Sequence, residues 1–237
     1  MTNTNDFISL LASKLGRSTP QSAPEPVAFD VPSFQISSQE RVRTFLDNWQ
    51  ALGGKGAIVK SPDEAIRCLQ EWFGDLSFDQ TTNQGRIVSW NLLPAFAESA
   101  FTTLNWPLAR YSQAAPSPQD RHQLAAQAEL GVTGADWGVA LSGSIVTSSN
   151  PQRGRAVSLL PPRHLTIMET SKIRNTIAEI LSEVSALENP PAALEFITGP
   201  SRTSDIEMDL SIGVHGPIEV YVLLIDDSED TASNSGD

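Results

Sequence analysis

Apolar residues recur along this chain in two spacings, one helical and one extended, and the switches between them divide it into elements. Phe7, Leu10, Leu11 and Leu15 fall on one face of a short amphipathic helix over residues 6–15. The stretch 17–33 that follows is rich in Pro, Ser and Ala and lacks the apolar density to fold. Residues 1–35 therefore read as a helix on a flexible tether. From residue 36 to 226 the pattern is that of a folded domain, and 227–237 form an acidic tail.

Within the domain, Ser37 and Glu40 have capping-box spacing, and Val42, Phe45, Leu46 and Trp49 share a helical face. Gly53-Gly54 ends that helix and Gly56–Val59 is a strand. Ser61-Pro-Asp-Glu64 starts the next helix with a serine cap, a proline in the first turn and a glutamate three residues past the cap. Arg86–Trp90 is a strand, and Ser117-Pro-Gln-Asp120 opens a helix ending near Leu130. Ala135–Leu141 and Ser144–Ser148 predict two strands joined tightly at Ser142-Gly143. His164–Met168 is a further strand, Ile173, Ile177, Ile180, Leu181 and Val184 predict a helix, and Ala193–Ile197 and Ile218–Ile225 complete the set. This alternation predicts an α/β fold in three layers: a mostly parallel sheet with helices on both faces and one antiparallel hairpin.

Composition narrows the function. The chain has 237 residues and a formal net charge of −12, which excludes a general nucleic-acid or anionic-membrane surface. No run approaches the length of a membrane span, and the N-terminus lacks a signal-peptide pattern, so a cytoplasmic location is expected. The single cysteine, Cys68, lies in a helical pattern beside Ile66, Leu69, Trp72 and Phe73 and reads as a buried thiol. One cysteine supplies neither a disulfide framework nor a cluster site.

Candidate chemistry concentrates where glycine punctuates the ends of apolar runs. In the segment 131–146, Thr133, Asp136, Ser142 and Ser144 can surround a ligand; Asp136 can equally be a local turn former bonded to backbone. In the segment 197–207, Ser204 and Glu207 have capping-box spacing. A helix start there, with Ser201, Arg202 and Thr203 beside it, is a candidate anion site. The competing reading satisfies that helix start with Asp205 and Glu207 and pairs Arg202 on the surface. Arg155 follows in a basic Gln152-Arg-Gly-Arg155 run. His122, His164 and His215 lack metal-site spacing. His122 is expected in solvent, while His164 and His215 suit either a pocket or a structural loop. No metal site is expected, and neither GxGxxG nor a P-loop is present.

Together, Gly131-Val-Thr-Gly-Ala-Asp136, Gly143-Ser-Ile-Val146, Gly154-Arg155, Ser158-Leu-Leu-Pro-Pro162 with His164, Ile197-Thr-Gly-Pro-Ser-Arg-Thr203 with Asp205-Ile-Glu207, and Gly213-Val-His-Gly-Pro217 resemble the signature of the LUD-domain family. The match runs from Ser117 to Ile225. The resemblance implies the three-layer fold shared by ribose-phosphate isomerases and CoA transferases, placed here over residues 36–226. It also implies a part in oxidising L-lactate to pyruvate, as an accessory subunit that binds a small anionic metabolite. The cysteine-rich partner subunits, rather than this chain, would carry the iron–sulfur clusters. Where the family carries an acidic residue and Thr before the Gly-Ser/Thr-Ile pair, this chain has Leu141 and Ser142. A carboxylate there would act by analogy with the glutamate of CoA transferases, and leucine cannot. A stand-alone enzyme acting on a CoA thioester or sugar phosphate, and a metabolite-binding regulatory protein, are the alternative expectations.

Overall fold

The computed structural model describes residues 4–17, 36–76, 86–112, 117–200, 202–204, 210–212 and 216–228. The chain divides into two units, Met1–Ser33 and Phe34–Asp237. The first holds the helix α1 (Thr4–Lys14).

In the second unit the strands are β1 (Lys55–Val59), β2 (Ile87–Ser89), β3 (Leu108–Arg110), β4 (Leu130–Gly134), β5 (Trp137–Val139), β6 (Ser144–Ser148), β7 (Arg163–Glu169), β8 (Ile173–Arg174), β9 (Leu194–Ile197), β10 (Arg202–Ser204), β11 (Leu210–Ile212) and β12 (Glu219–Ile225). The helices are α2 (Ser38–Ala51), α3 (Pro62–Phe73), α4 (Ala95–Thr103), α5 (Pro118–Ala126), α6 (Ala156–Leu159) and α7 (Ile177–Ser185). Local chemistry sets their starts. The Ser37, Ser61, Ser117 and Thr176 side chains each accept a hydrogen bond from the backbone N–H three residues on, satisfying a donor that the first helical turn leaves free.

Six strands form the main sheet in the order β1-β12-β7-β4-β2-β3, and every pairing is parallel. Alternation along each strand feeds two cores. Tyr221, Leu223 and Ile225 of β12, with Leu165 and Ile167 of β7, pack under α3 and α4. Val220, Val222, Leu224 and Met168 face the opposite way, against Phe45 and Trp49 of α2. Burial on both faces is why β12 reads as an unbroken apolar run. Beyond β4, Val88, Trp90 and Tyr111 are covered by α5 and α6 through Ala125, Ala156 and Val157.

A second sheet, in the order β8-β5-β6-β9, lies on the α2 side: Ala140, Ile145 and Ile173 join the same core as Phe45 and Trp49. Its β5–β6 and β6–β9 pairs are antiparallel and its β5–β8 pair is parallel. Ile180 of α7 covers it through Val139 and Val146. The result is a mostly parallel α/β fold with both faces of the sheet covered.

Four elements differ from the sequence reading. The helix opened by Ser117 ends at Ala126, because Leu130 and Val132 are wanted in the sheet core and begin β4. Ile173 belongs to β8, paired with Gly138, and not to the helix α7. β9, the strand predicted over Ala193–Ile197, spans Leu194–Ile197 and is a half-buried strand of the second sheet rather than of the main parallel one. Ser204 is the last residue of β10, paired with Leu210 of β11, so a strand stands where a helix cap was expected. The N-terminal tether and the acidic tail past Ser228 lie outside the described residues.

Candidate functional site

β4 and β7 are register neighbours, with Gly131 opposite His164 and Thr133 opposite Thr166. Alternation therefore turns Thr133, His164 and Thr166 to the same face, and all three are fully buried. Thr133 Oγ1 lies 2.9 Å from His164 Nε2 and 3.4 Å from Thr166 Oγ1, while His164 Nδ1 has no partner. Burial alone lowers the imidazole pKa from 6.5 to about 3, so the ring stays neutral. A neutral, enclosed histidine hydrogen-bonded to a threonine fixes strand packing; it offers no surface to a ligand in this arrangement. Gly131, beside it, makes a close approach to protein: a Cβ would stand 1.9 Å from the Val157 carbonyl oxygen.

At the β5–β6 turn, three hydroxyls form a chain. Ser142 Oγ lies 2.7 Å from Ser144 Oγ, which lies 2.8 Å from Thr198 Oγ1. The turn is anchored by Asn48, whose Nδ2 donates to the carbonyls of Ala140 and Leu141. Asn48 sits near the C-terminal end of α2, whose dipole opposes an anion. Leu141 itself is 53% exposed and carries no ionisable group.

Asp136 is committed to structure. Its Oδ2 accepts from both the backbone N–H and the hydroxyl of Ser148 at 2.7 Å, and its Oδ1 takes Arg153 at 2.6 Å. The Arg153 guanidinium lies 5.3 Å from the centre of the Trp90 ring, and Trp90 Nε1 donates to the Gly154 carbonyl. Gly154 rests on the Tyr111 ring so closely that a Cβ would stand 2.0 Å from it. The segment before α6 is thus bolted to the carboxyl ends of β2 and β3, and its next residue is Arg155.

Arg155 lines a cavity of about 610 Å³ between α5 and α6, with Tyr111, His122, Gln123, Ala126, Ala156, Leu159 and Leu160. Among the described residues, neither the Arg155 nor the His122 side chain has a hydrogen-bond or ion-pair partner. The carboxyl end of a parallel sheet is where open α/β folds place ligands. A second cavity, of about 460 Å³, opens at the carboxyl ends of β1 and β12. Its charged groups already have partners: Asp227 accepts from Thr170 and Ser171, Lys60 pairs with Asp226 at 3.5 Å, and Arg41 donates to Asn175 and to the Ile173 carbonyl. Of the two, the Arg155 cavity is the one whose basic side chains have no partner among the described residues.

Among the described residues, the predicted site residues do not converge. Thr133 and His164 are sealed in the core, Ser142 and Ser144 form the hydroxyl chain, Asp136 supports the segment that carries Arg155, and Arg155 alone reaches the cavity. The side chains of Ser201, Arg202, Thr203, Glu207 and His215 lie outside the described residues. His122 is exposed, as expected, but it faces the cavity with Tyr111; neither residue was picked as a site residue, because no linear spacing joins them to Arg155. Among the described residues no group of His, Cys, Asp or Glu is placed to hold a metal ion. Cys68 is half-buried on α3, and burial holds its thiol above the usual range. Among the described residues no helix is long and apolar enough to cross a membrane.

The LUD domain family model matches residues 42–225, which is nearly the whole second unit. The chain belongs to the LUD-domain family. A relative named "Lactate utilization protein C" in Exiguobacterium sp. is 29% identical over 237 residues, covering 96% of this chain and 97% of that protein. A protein of the same name in Bacillus pumilus is 33% identical over 180 residues, 72% of each chain. The LUD fold of this chain is also similar to the crystal structure of a DUF162 family protein from Deinococcus radiodurans. The TM-score is 0.56 and the identity 21%, over 81% of this chain and 99% of that one.

Proposed function

We propose that this LUD-domain protein acts in lactate utilisation, as an accessory subunit of a system that oxidises L-lactate to pyruvate. The observation that carries the reading is the similarity along almost the full length of relatives named for lactate utilisation. The chain's one cysteine leaves a cluster without a ligand set here, so electron carriage falls to cysteine-rich iron–sulfur partner subunits. The contribution of this subunit is to bind those partners and a small organic anion, the latter in the cavity that Arg155 and His122 line.

The test is genetic and biochemical. Deleting the gene is expected to abolish growth on L-lactate while sparing growth on pyruvate, and affinity capture of the tagged protein from lactate-grown cells is expected to recover a cysteine-rich partner. Unimpaired lactate growth in the deletant would refute the reading. An independent CoA-transferase-like activity finds no support at Leu141, which is exposed and chemically inert.

A further inference from the structure

We infer that the cavity between α5 and α6 is a binding site for an aliphatic organic anion, with a carboxylate or phosphate-monoester head and a hydrocarbon body of several carbons. This deepens the anion-binding half of the proposed function and is independent of the partner half.

Charge comes first. In a chain of net charge −12, the residues lining this cavity include no carboxylate. Elsewhere Arg110, Arg153, Arg163 and Arg174 are matched by Glu98, Asp136, Glu219 and Glu183, and Arg41, Arg86 and Arg121 are held by neutral acceptors at Asn175, Gln127 and Ser117. Arg155 and His122 face the same space with no such partner, which leaves a fork of donors free for an oxyanion. The backbone that presents Arg155 is held in advance by the Asp136–Arg153 pair and by Gly154 on Tyr111, so the ordering left for binding is that of the Arg155 side chain.

The body of the ligand follows from the rest of the lining. Ala126, Ala156, Leu159 and Leu160 are apolar, and the two leucines are 40% and 46% exposed. Tyr111 is not a stacking platform: it is 7% exposed, with Arg121 over its ring at 5.8 Å from the centre and Gly154 packed against it. An aromatic ring therefore has no open face to meet, whereas a methylene chain has the leucines. At about 610 Å³ the hollow, which is partly open to solvent, has room for more than a three-carbon acid. Each methylene buried there adds about fourfold to affinity.

Calorimetry on the full chain separates head from body, with hexanoate and hexyl phosphate as probes, acetate and inorganic phosphate as head-only ligands, and hexanol as tail only. Hexanoate or hexyl phosphate is expected to bind with Kd of about 1 mM or tighter and at least about tenfold more tightly than its head-only counterpart. Whichever six-carbon probe binds better identifies the head. Arg155→Ala is expected to weaken binding at least about tenfold, and Leu159→Ser to weaken the six-carbon probes while leaving the head-only ligands unchanged. Circular dichroism of both variants checks that they remain folded. The proposal is overturned if neither six-carbon probe binds, if acetate or phosphate binds as tightly as its six-carbon analogue, or if folded Arg155→Ala binds like the unaltered protein. None of these results depends on lactate growth or on partner capture, so either reading can fail alone.

Discussion

Two buried polar groups show how single residues here are held by their partners. His164 has one ring nitrogen matched by Thr133 and one unmatched, so it has no hydrogen bond to spare. Thr133→Val keeps the shape of the side chain and removes that hydroxyl, leaving the imidazole without a hydrogen bond in the core. The expected loss is about 1–3 kcal/mol by urea unfolding, and Thr133→Ser is expected to recover most of it. A Thr133→Val protein with an unshifted midpoint would mean that the hydroxyl does not hold the ring. Asp136 is the second case. It joins β4 to Ser148 and to Arg153, and both partners are left unmatched when the carboxylate is removed. Asp136→Ala is expected to cost about 1–3 kcal/mol in the same assay, and Asp136→Asn less, since an amide oxygen still accepts from Ser148.

At the scale of elements, α6 is short, and its position depends on contact with β4 rather than on its own helical strength. Gly131 lies under it, and any side chain there would meet the Val157 carbonyl. Gly131→Ala should therefore lift α6 from the sheet and cost about 1–3 kcal/mol. A wild-type melting curve for that variant would show that α6 is free to shift. Elements with a local signature were legible in the sequence: three Ser-started helices carry their caps within four residues, and β12 announces itself as a run buried on both faces. Residues 95–110 were not, although they form α4 and β3. α4 starts at Pro94 with no side-chain cap, and its buried face, Ala97, Ala100 and Phe101, is two-thirds alanine, so neither a start signal nor a strongly apolar stripe marks it. The second sheet was legible as its hairpin and as the separate strand near Ile197, but not as one sheet, because Gly138 meets Ile173 and Ile145 meets Ile197 across intervening strands and helices that no periodicity joins. The candidate site shares that limit. Arg155 was visible in its motif, but Tyr111 and His122 reach it from β3's end and from α5. Asp136 was legible as a residue bonded to backbone, and its bond to the Ser148 N–H is of that kind.

For the whole molecule, the ionisable groups that the fold perturbs predict how stability responds to acid. His164 is held neutral by burial, with a pKa near 3 in the folded chain against 6.5 when exposed. Between those values the unfolded chain takes up a proton that the folded chain refuses, so stability falls as pH drops from about 6.5 toward 3. At about 1.4 kcal/mol per pH unit, the loss from this residue reaches roughly 2 kcal/mol by pH 5. Among the described residues, four carboxylates act lower down. Arg174 bonded to Glu183 holds that carboxyl below the usual range. Burial alone would raise Glu219, but hydrogen bonds from Lys55 and Arg163 outweigh it. Hydrogen bonds from Ser228 lower Asp226, and those from Ser171 and Thr170 overcome burial at Asp227. Groups with depressed values stabilise the fold above their unfolded pKa and lose that contribution as pH falls through the folded value. Acid therefore destabilises in two stages, His164 first and the carboxylates after it. Urea midpoints measured in steps from about pH 8 to pH 3 should be level above about 7, decline from about 6.5, and decline more steeply below about 4.5. In His164→Gln the level region should extend down to about pH 5 whatever the variant's absolute stability, because the comparison rests on the slope. A wild-type profile that stays level from pH 7 to pH 5 would mean that His164 is not sealed from water, and the enclosed Thr133–His164 pair would then have to be reconsidered as part of an open site.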